Sequence, residues 1–155
     1  MLFAVAIVLS FIEGLFPTPM PGVKLGLSNI VVMYSLFFLK KRYALAIVLL
    51  KGLFTFLLKG PVSSILSLSG GLLSITVIFV LITVSNKKIT YLMSSVCGAL
   101  AHNIGQFFVA SIILRTPLWY YLPALLFAGI AAGIATSTLL RLTLPALSKL
   151  NINNN

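Results

Sequence analysis

Six apolar stretches follow one another along this chain of 155 residues, and short breaks that contain Pro, Gly, Lys or Arg separate them. Hydrophobic residues make up 60% of the sequence, only 8% are charged, and the mean hydropathy is +1.16. An average soluble domain is about half apolar and about a quarter charged. The chain therefore needs lipid as its solvent, and the pattern predicts an all-α integral membrane protein.

The breaks divide the chain into six predicted transmembrane helices, since a helix needs about 20 apolar residues to cross a bilayer. The apolar N-terminus has no basic segment and is interrupted by Glu13, which favours a first helix over a cleaved signal peptide. The predicted spans cover residues 1–16, 25–39, 43–58, 63–84, 89–114 and 119–142. They form one bundle over residues 1–144, followed by a polar C-terminal tail over residues 145–155.

The distribution of basic residues predicts the orientation of the bundle. The formal charge of +10 comes from eleven Lys and Arg against a single acidic residue. These bases occur in short clusters between apolar stretches, which is typical of orientation signals and not of a surface that binds nucleic acid. One side of the six-helix topology carries Lys40, Lys41, Arg42, Lys87, Lys88, Arg141 and Lys149, and the other side carries Lys24, Lys59 and Arg115. Because Lys and Arg are retained in the cytoplasm, both termini are expected there.

Polar side chains within the apolar stretches are the first candidate functional residues, because each needs a partner in lipid. His102, Asn103 and Gln106 are three or four residues apart, so we expect them to share one helix face that points into the bundle. They either contact a ligand or join neighbouring helices by hydrogen bonds. Glu13 and Lys51 either pair with each other or face a ligand chamber, and Lys51 has the further alternative of snorkelling.

The first loop is a second candidate region. Lys24 and Asn29 lie in a segment rich in turn-forming residues, and the free amides at the start of the second helix would favour an anion beside Lys24. The alternative is an ordinary connecting loop with a solvated lysine.

Small residues at helical spacing predict close packing. Gly129 and Gly133 have the GxxxG spacing and are interpreted as a packing surface inside the bundle. Ala6 and Ser10 form a looser pair of small residues, which we assign to docking of a partner's helix.

Missing residue types exclude several chemistries. The usual isoprenyl-diphosphate chemistry needs aspartate-rich motifs that hold magnesium, and this chain contains no aspartate. It has no Walker loop and no Ser-His-Asp arrangement. One His, one Cys and one Glu are too few for a structural zinc site. The sequence therefore predicts no catalytic residue, no metal and no cofactor, and it is not expected to be an enzyme.

Three segments, residues 21–29, 69–74 and 98–106, resemble the Gx transporter family, which is also labelled heptaprenyl diphosphate synthase component I. That family is similar to the substrate-binding S components of energy-coupling-factor (ECF) transporters. The resemblance implies six helices in a bacterial plasma membrane, a ligand pocket that opens outward and a first loop that acts as its lid. It also implies docking on a membrane T component that is driven by cytoplasmic ATPases.

Three hypotheses follow. The first is a substrate-capture subunit for uptake of a small anionic or amphiphilic molecule. Its pocket would be lined or gated by Glu13, Lys24, Asn29, Lys51, His102, Asn103 and Gln106. The alternative is a non-catalytic membrane component associated with heptaprenyl diphosphate or menaquinone synthesis, which recruits a soluble synthase subunit. The third is a purely structural bundle that binds no ligand.

Overall fold

The computed structural model describes residues 2–13, 29–38, 41–85, 89–115 and 119–152, and every element in these residues is helical. The elements are α1 (Leu2–Glu13), α2 (Asn29–Phe38), α3 (Lys41–Val84), α4 (Tyr91–Leu114), a short 3-10 turn (Trp119–Tyr121) and α5 (Leu122–Ile152). The predicted all-α class is therefore confirmed. Three helices in this part of the chain are long and apolar enough to cross a membrane, and they cover Arg42–Val84, Tyr91–Leu114 and Trp119–Leu142.

Gly60 divides α3 into two arms. Its φ of 83° and ψ of −179° are not helical and fall in a region that essentially only glycine adopts. Pro61 follows, and proline is well placed at the first position of a helix, where its missing N–H is not needed. We call residues 41–59 the first arm and residues 61–84 the second arm. The predicted break between the third and fourth helices is confirmed.

Contacts across Gly60 show that the two arms are antiparallel. The hydroxyl of Ser64 donates a hydrogen bond to the carbonyl oxygen of Gly52 at 2.8 Å, although 12 residues separate them. In a straight helix that separation corresponds to about 18 Å. Further from the turn, the side chain of Val48 lies against Gly71. The chain therefore reverses at Gly60, and α3 is a helical hairpin.

α4 lies between the second arm and α5, and glycines bring all three backbones close together. A β-carbon placed on Gly105 would lie 3.0 Å from the carbonyl oxygen of Ser69 in the second arm. On the other side of α4, a β-carbon on Gly133 would lie 2.6 Å from the Cα of Val96. Gly129 meets α4 one turn away. The predicted packing role of Gly129 and Gly133 is confirmed.

The polarity of the bundle is the reverse of that of a soluble protein. Large apolar side chains cover the outside, and Leu57, Ile112 and Phe127 are about three-quarters exposed. Polar side chains are buried, including Lys51 at 2% exposure and His102 at 0%. This arrangement matches a lipid environment, in which apolar groups are solvated and polar groups must find partners inside the protein.

α1 and α2 pack against the first arm. Ala6 is fully buried in an apolar cluster whose other members are Val31, Val32, Ala44, Ile47 and Val48. The side chain of Ala6 therefore packs within the chain, while its predicted role in docking a partner stays a prediction. In their described lengths of 12 and 10 residues, α1 and α2 are shorter than a membrane span, so the count of six crossings also stays a prediction.

The last two helices differ from the predicted bounds at their ends. α4 begins at Tyr91 because the Thr90 hydroxyl caps it, accepting a hydrogen bond from the amide of Met93 at 3.3 Å. α5 continues past the predicted end at residue 142 to Ile152, although the extension contains Pro145, which has no N–H to donate within the helix. The predicted tail is thus largely a continuation of α5.

Gly60 gives the first test. We expect Gly60→Ala to lower the free energy of unfolding by about 1–3 kcal/mol, because alanine is strained at this φ and ψ. Steric overlap is not the cause, since nothing lies within 4 Å of a β-carbon built there. Unfolding titrations in detergent measure the change. Lys59→Ala, at an exposed neighbour, should change the same quantity by less than about 0.5 kcal/mol. Equal stability of the two variants would contradict the assignment.

Candidate functional site

The polar side chains predicted in the fifth helix all lie on α4 and are all buried. His102 and Gln106 are 0% exposed and Asn103 is 1% exposed. Gln106 Nε2 and His102 Nε2 are 3.1 Å apart, one helical turn from each other on the same face. The expectation that these two residues share one helix face is therefore confirmed.

Asn103 points in a different direction from His102 and Gln106. Its side-chain amide Nδ2 donates a hydrogen bond to the carbonyl oxygen of Leu125 in α5 at 2.8 Å. The expectation that all three residues share one face needs correction, because successive helical residues are about 100° apart. Asn103 joins α4 to α5, whereas His102 and Gln106 face the second arm.

Gly70 of the second arm lies against the His102–Gln106 pair. A β-carbon on Gly70 would lie 2.7 Å from the carbonyl oxygen of His102 and 2.8 Å from its Nδ1. It would also lie 2.9 Å from Cγ of Gln106. Only glycine allows the two helices to approach this closely. The absent side chain of Gly70 therefore leaves room for the imidazole of His102 and the amide of Gln106 between them.

Lys51 places a cationic side chain inside the bundle. It lies on the buried face of the first arm, and Thr55 Oγ1 donates a hydrogen bond to the carbonyl oxygen of Lys51 at 2.9 Å. The next residue, Gly52, contacts Leu68, which lies two residues before Gly70. Lys51 and His102 are thus at similar depth. With an exposure of 2%, Lys51 does not snorkel to the surface.

Several predicted site residues cannot be placed. Lys24 lies outside the described residues. Glu13 ends α1 and Asn29 begins α2, but their side chains, like that of Ser10, lie outside the described part of the structure. The pairing of Glu13 with Lys51 therefore stays a prediction, as does the role of the first loop. Among the described residues no group of three metal-ligating side chains comes together.

The structure adds a set of buried serines that the sequence analysis did not select. Ser35, Ser67, Ser74, Ser94 and Ser95 are at most 3% exposed. One sequence feature could have identified some of these serines as facing the interior. Ser67 and Ser74 are seven residues apart, as are Ser95 and His102. Seven residues are close to two helical turns, so each pair lies on one face.

The fold and the buried polar groups define an α-helical membrane protein whose hydrogen-bonding side chains are directed inward. The chain belongs to the heptaprenyl diphosphate synthase component I family, whose sequence profile matches residues 2–143. This confirms the family predicted from the three sequence segments. No curated protein and no solved structure matches the chain. The family is that of a non-catalytic component, so the chain is not itself an enzyme.

The close contact of Gly70 with His102 and Gln106 gives the second test. Gly70→Ala would push a methyl group against the backbone oxygen of His102, which cannot rotate away. We expect a loss of about 1–3 kcal/mol in the free energy of unfolding, the usual effect of overpacking. Gly129→Ala is the matched control, because its nearest atoms lie at 3.1 Å and two of the three belong to side chains. A larger loss in Gly129→Ala than in Gly70→Ala would contradict this account.

The predicted ion pair between Glu13 and Lys51 gives the third test. If the two groups pair, removing either one leaves a buried charge, which typically costs about 3–5 kcal/mol. The double variant Glu13→Gln/Lys51→Met should then be more stable than the sum of the two single losses predicts. Unfolding free energies of all four proteins form the double-mutant cycle. Additive losses would show that the two residues do not interact.

Proposed function

We propose that this chain is a non-catalytic, multi-pass membrane component of a heptaprenyl diphosphate synthase system, which holds a separate catalytic subunit at the membrane. The family match over residues 2–143 carries the proposal. The chemistry of the product supports it, because a long isoprenoid tail partitions into lipid while the diphosphate stays in water. A synthase held at the bilayer would release such a product where its tail is soluble.

The proposed topology has six crossings. The hairpin of α3 supports two of them, since its first arm of residues 41–59 is about 28 Å long, close to the thickness of the hydrocarbon core. α4 and α5 supply two more, and the two apolar segments that contain α1 and α2 supply the first two. Trp119, Tyr120 and Tyr121 are exposed, as expected for an aromatic belt at the outer surface.

The basic end of the bundle is the proposed docking surface for the catalytic subunit. Arg42 at the start of the first arm and Arg141 in α5 are exposed. They lie at the end opposite the Gly60 turn, because the arms are antiparallel and Leu140 packs with Ile78 of the second arm. This is the end that the distribution of basic residues assigns to the cytoplasm.

Charge reversal at this end tests the proposal. The tagged protein is purified from membranes of its host, and bound proteins are identified by mass spectrometry. We expect a prenyl diphosphate synthase subunit, and we expect Arg42→Glu/Arg141→Glu to reduce its recovery by about tenfold or more through repulsion at the interface. Lys59→Glu/Arg115→Glu makes the same charge change at the opposite end and should leave recovery unchanged. Failure to recover a synthase, or equal loss in both variants, would refute docking at this end.

A second candidate is the substrate-capture subunit, with an ECF T component and ATPases as partners. The specific observation in its favour is the burial of Lys51, His102 and Gln106 at similar depth on two different helices. A cation beside hydrogen-bonding groups suits an anionic or amphiphilic ligand, whereas a bundle that served only as a scaffold would gain nothing from a buried lysine.

The capture candidate predicts a bound small molecule. Native mass spectrometry of the purified protein should show a ligand that is lost or reduced in His102→Ala and in Gln106→Ala. Ile112→Ala, on the exposed face of the same helix, is the control and should retain the ligand. Recovery of ATPases instead of a synthase in the affinity experiment would favour this candidate. A protein without ligand, and without any change in thermal stability on addition of candidate anions, would argue against it.

A further inference from the structure

The hydroxyl groups of this bundle differ in how they are satisfied. The exposed Thr76, Thr83 and Thr138 each donate a hydrogen bond to the carbonyl oxygen four residues earlier in their own helix, at 2.9, 2.8 and 2.9 Å. Serine and threonine in helices commonly satisfy themselves in this way. Lipid offers no partner, so hydroxyls on the outer surface bond to their own backbone.

The buried Thr55, Ser64 and Ser137 also donate to backbone carbonyl oxygens. Five further buried serines behave differently. Ser35, Ser67, Ser74, Ser94 and Ser95 are at most 3% exposed, and within the described part of the chain none of their hydroxyl oxygens has a hydrogen-bond partner. The carbonyl oxygen four residues earlier is as near to a helical serine as to a helical threonine. The hydroxyls of these five serines nevertheless do not use it, so their hydrogen-bonding capacity is left for another partner.

Three of these serines, Ser67, Ser74 and Ser95, lie near the His102–Gln106 pair. Ser67 and Ser74 lie on either side of Gly70, which contacts His102. Ser74 Oγ lies 3.3 Å from the position of a β-carbon at Gly98 in α4, so the absent side chain of Gly98 leaves room for the hydroxyl. Ser95 lies two turns before His102 on the same face of α4.

The chemistry of the serine hydroxyls indicates which molecules they can bind. Each hydroxyl donates one hydrogen bond and accepts up to two, and none of the five carries a charge. A neutral molecule with several donors and acceptors satisfies such a surface, and a buried water typically makes about three hydrogen bonds to otherwise unpaired groups. We propose that Ser67, Ser74 and Ser95 line a polar site that binds neutral hydroxyl groups, supplied either by ordered water or by a small polyhydroxylated molecule.

This inference goes beyond both functional candidates, because neither assigns the serines a role. The interior then has two parts. Lys51 supplies positive charge on the first arm, while these three serines supply neutral hydrogen-bonding groups along the second arm and α4. An amphiphilic or anionic group would be held near Lys51, and a hydroxylated or hydrated group would be held beside Ser74 and Ser95.

Water-edited solid-state NMR tests the proposal on the unmodified protein. The chain, labelled uniformly with ¹³C and ¹⁵N, is placed in liposomes, and the transfer of magnetisation from water to each side chain is followed with time. The signals of Ser74 and Ser95 should build up several-fold faster than that of Thr76. Thr76 is the matched control, since it lies two residues from Ser74 on the exposed face. Sequential correlations assign the peaks, and Ser74→Ala and Ser95→Ala verify the assignment where these variants fold.

The two sources of hydroxyl groups give different results. Fast build-up at Ser74 and Ser95 identifies the guest as water. Slow build-up, together with a copurifying hydroxylated molecule whose removal makes the build-up fast, identifies the guest as that molecule. Build-up as slow as that of Thr76 under any other circumstance would overturn the proposal, because the serines would then lie in a dry interior.

Discussion

Hydrogen bonding in a solvent that offers no hydrogen bonds is the constraint on which this structure depends. A polar group at bilayer depth costs free energy unless it finds a hydrogen-bond partner, and the backbone amides in the interior of a helix find theirs within that helix. The bundle responds by directing Lys51, His102 and Gln106 inward while Leu57 and Phe127 face outward. The same constraint explains why Asn103 crosses to the backbone of Leu125 and why exposed threonines bond to their own helices. Fold and candidate site are therefore consequences of one requirement.

Glycine makes the central position of α4 possible. Between lipid-soluble helices there is no hydrophobic driving force, so association depends on close van der Waals contact and on interhelical hydrogen bonds. Gly105 and Gly133 permit that contact on the two sides of α4, and Gly70 does so at the level of His102. The close approach has a further effect, because it excludes lipid from the polar side chains between the helices. Packing and polarity thus support each other: the glycines bury the groups that a lipid-exposed helix could not tolerate.

Much of the fold could be predicted from the sequence, because apolar length and helix breakers act locally. Lys59, Gly60 and Pro61 indicated the turn, and the structure places it at Gly60 with a backbone conformation that only glycine adopts readily. The candidate site was less predictable. Spacing identified buried polar residues in α4 but assigned Asn103 to the wrong direction, since a face depends on which helix packs on which side. The serines were missed because serine is common in membrane helices, and only the absence of a bond to their own backbone distinguishes Ser74 from an ordinary one.

The two functional candidates use different parts of the molecule, and the energetics of the interior bears on both. A component that only recruits a synthase needs its basic end and could have a core made entirely of leucine. Burying Lys51 and several unpaired hydroxyls costs free energy. A core made entirely of leucine would avoid this cost. A chain that retains these groups inside a bundle of this small size has a polar interior suited to binding as well as an exposed surface suited to docking. A membrane component that holds an amphiphile and presents it to a soluble partner would use both parts, and so the interior chemistry connects the two candidates.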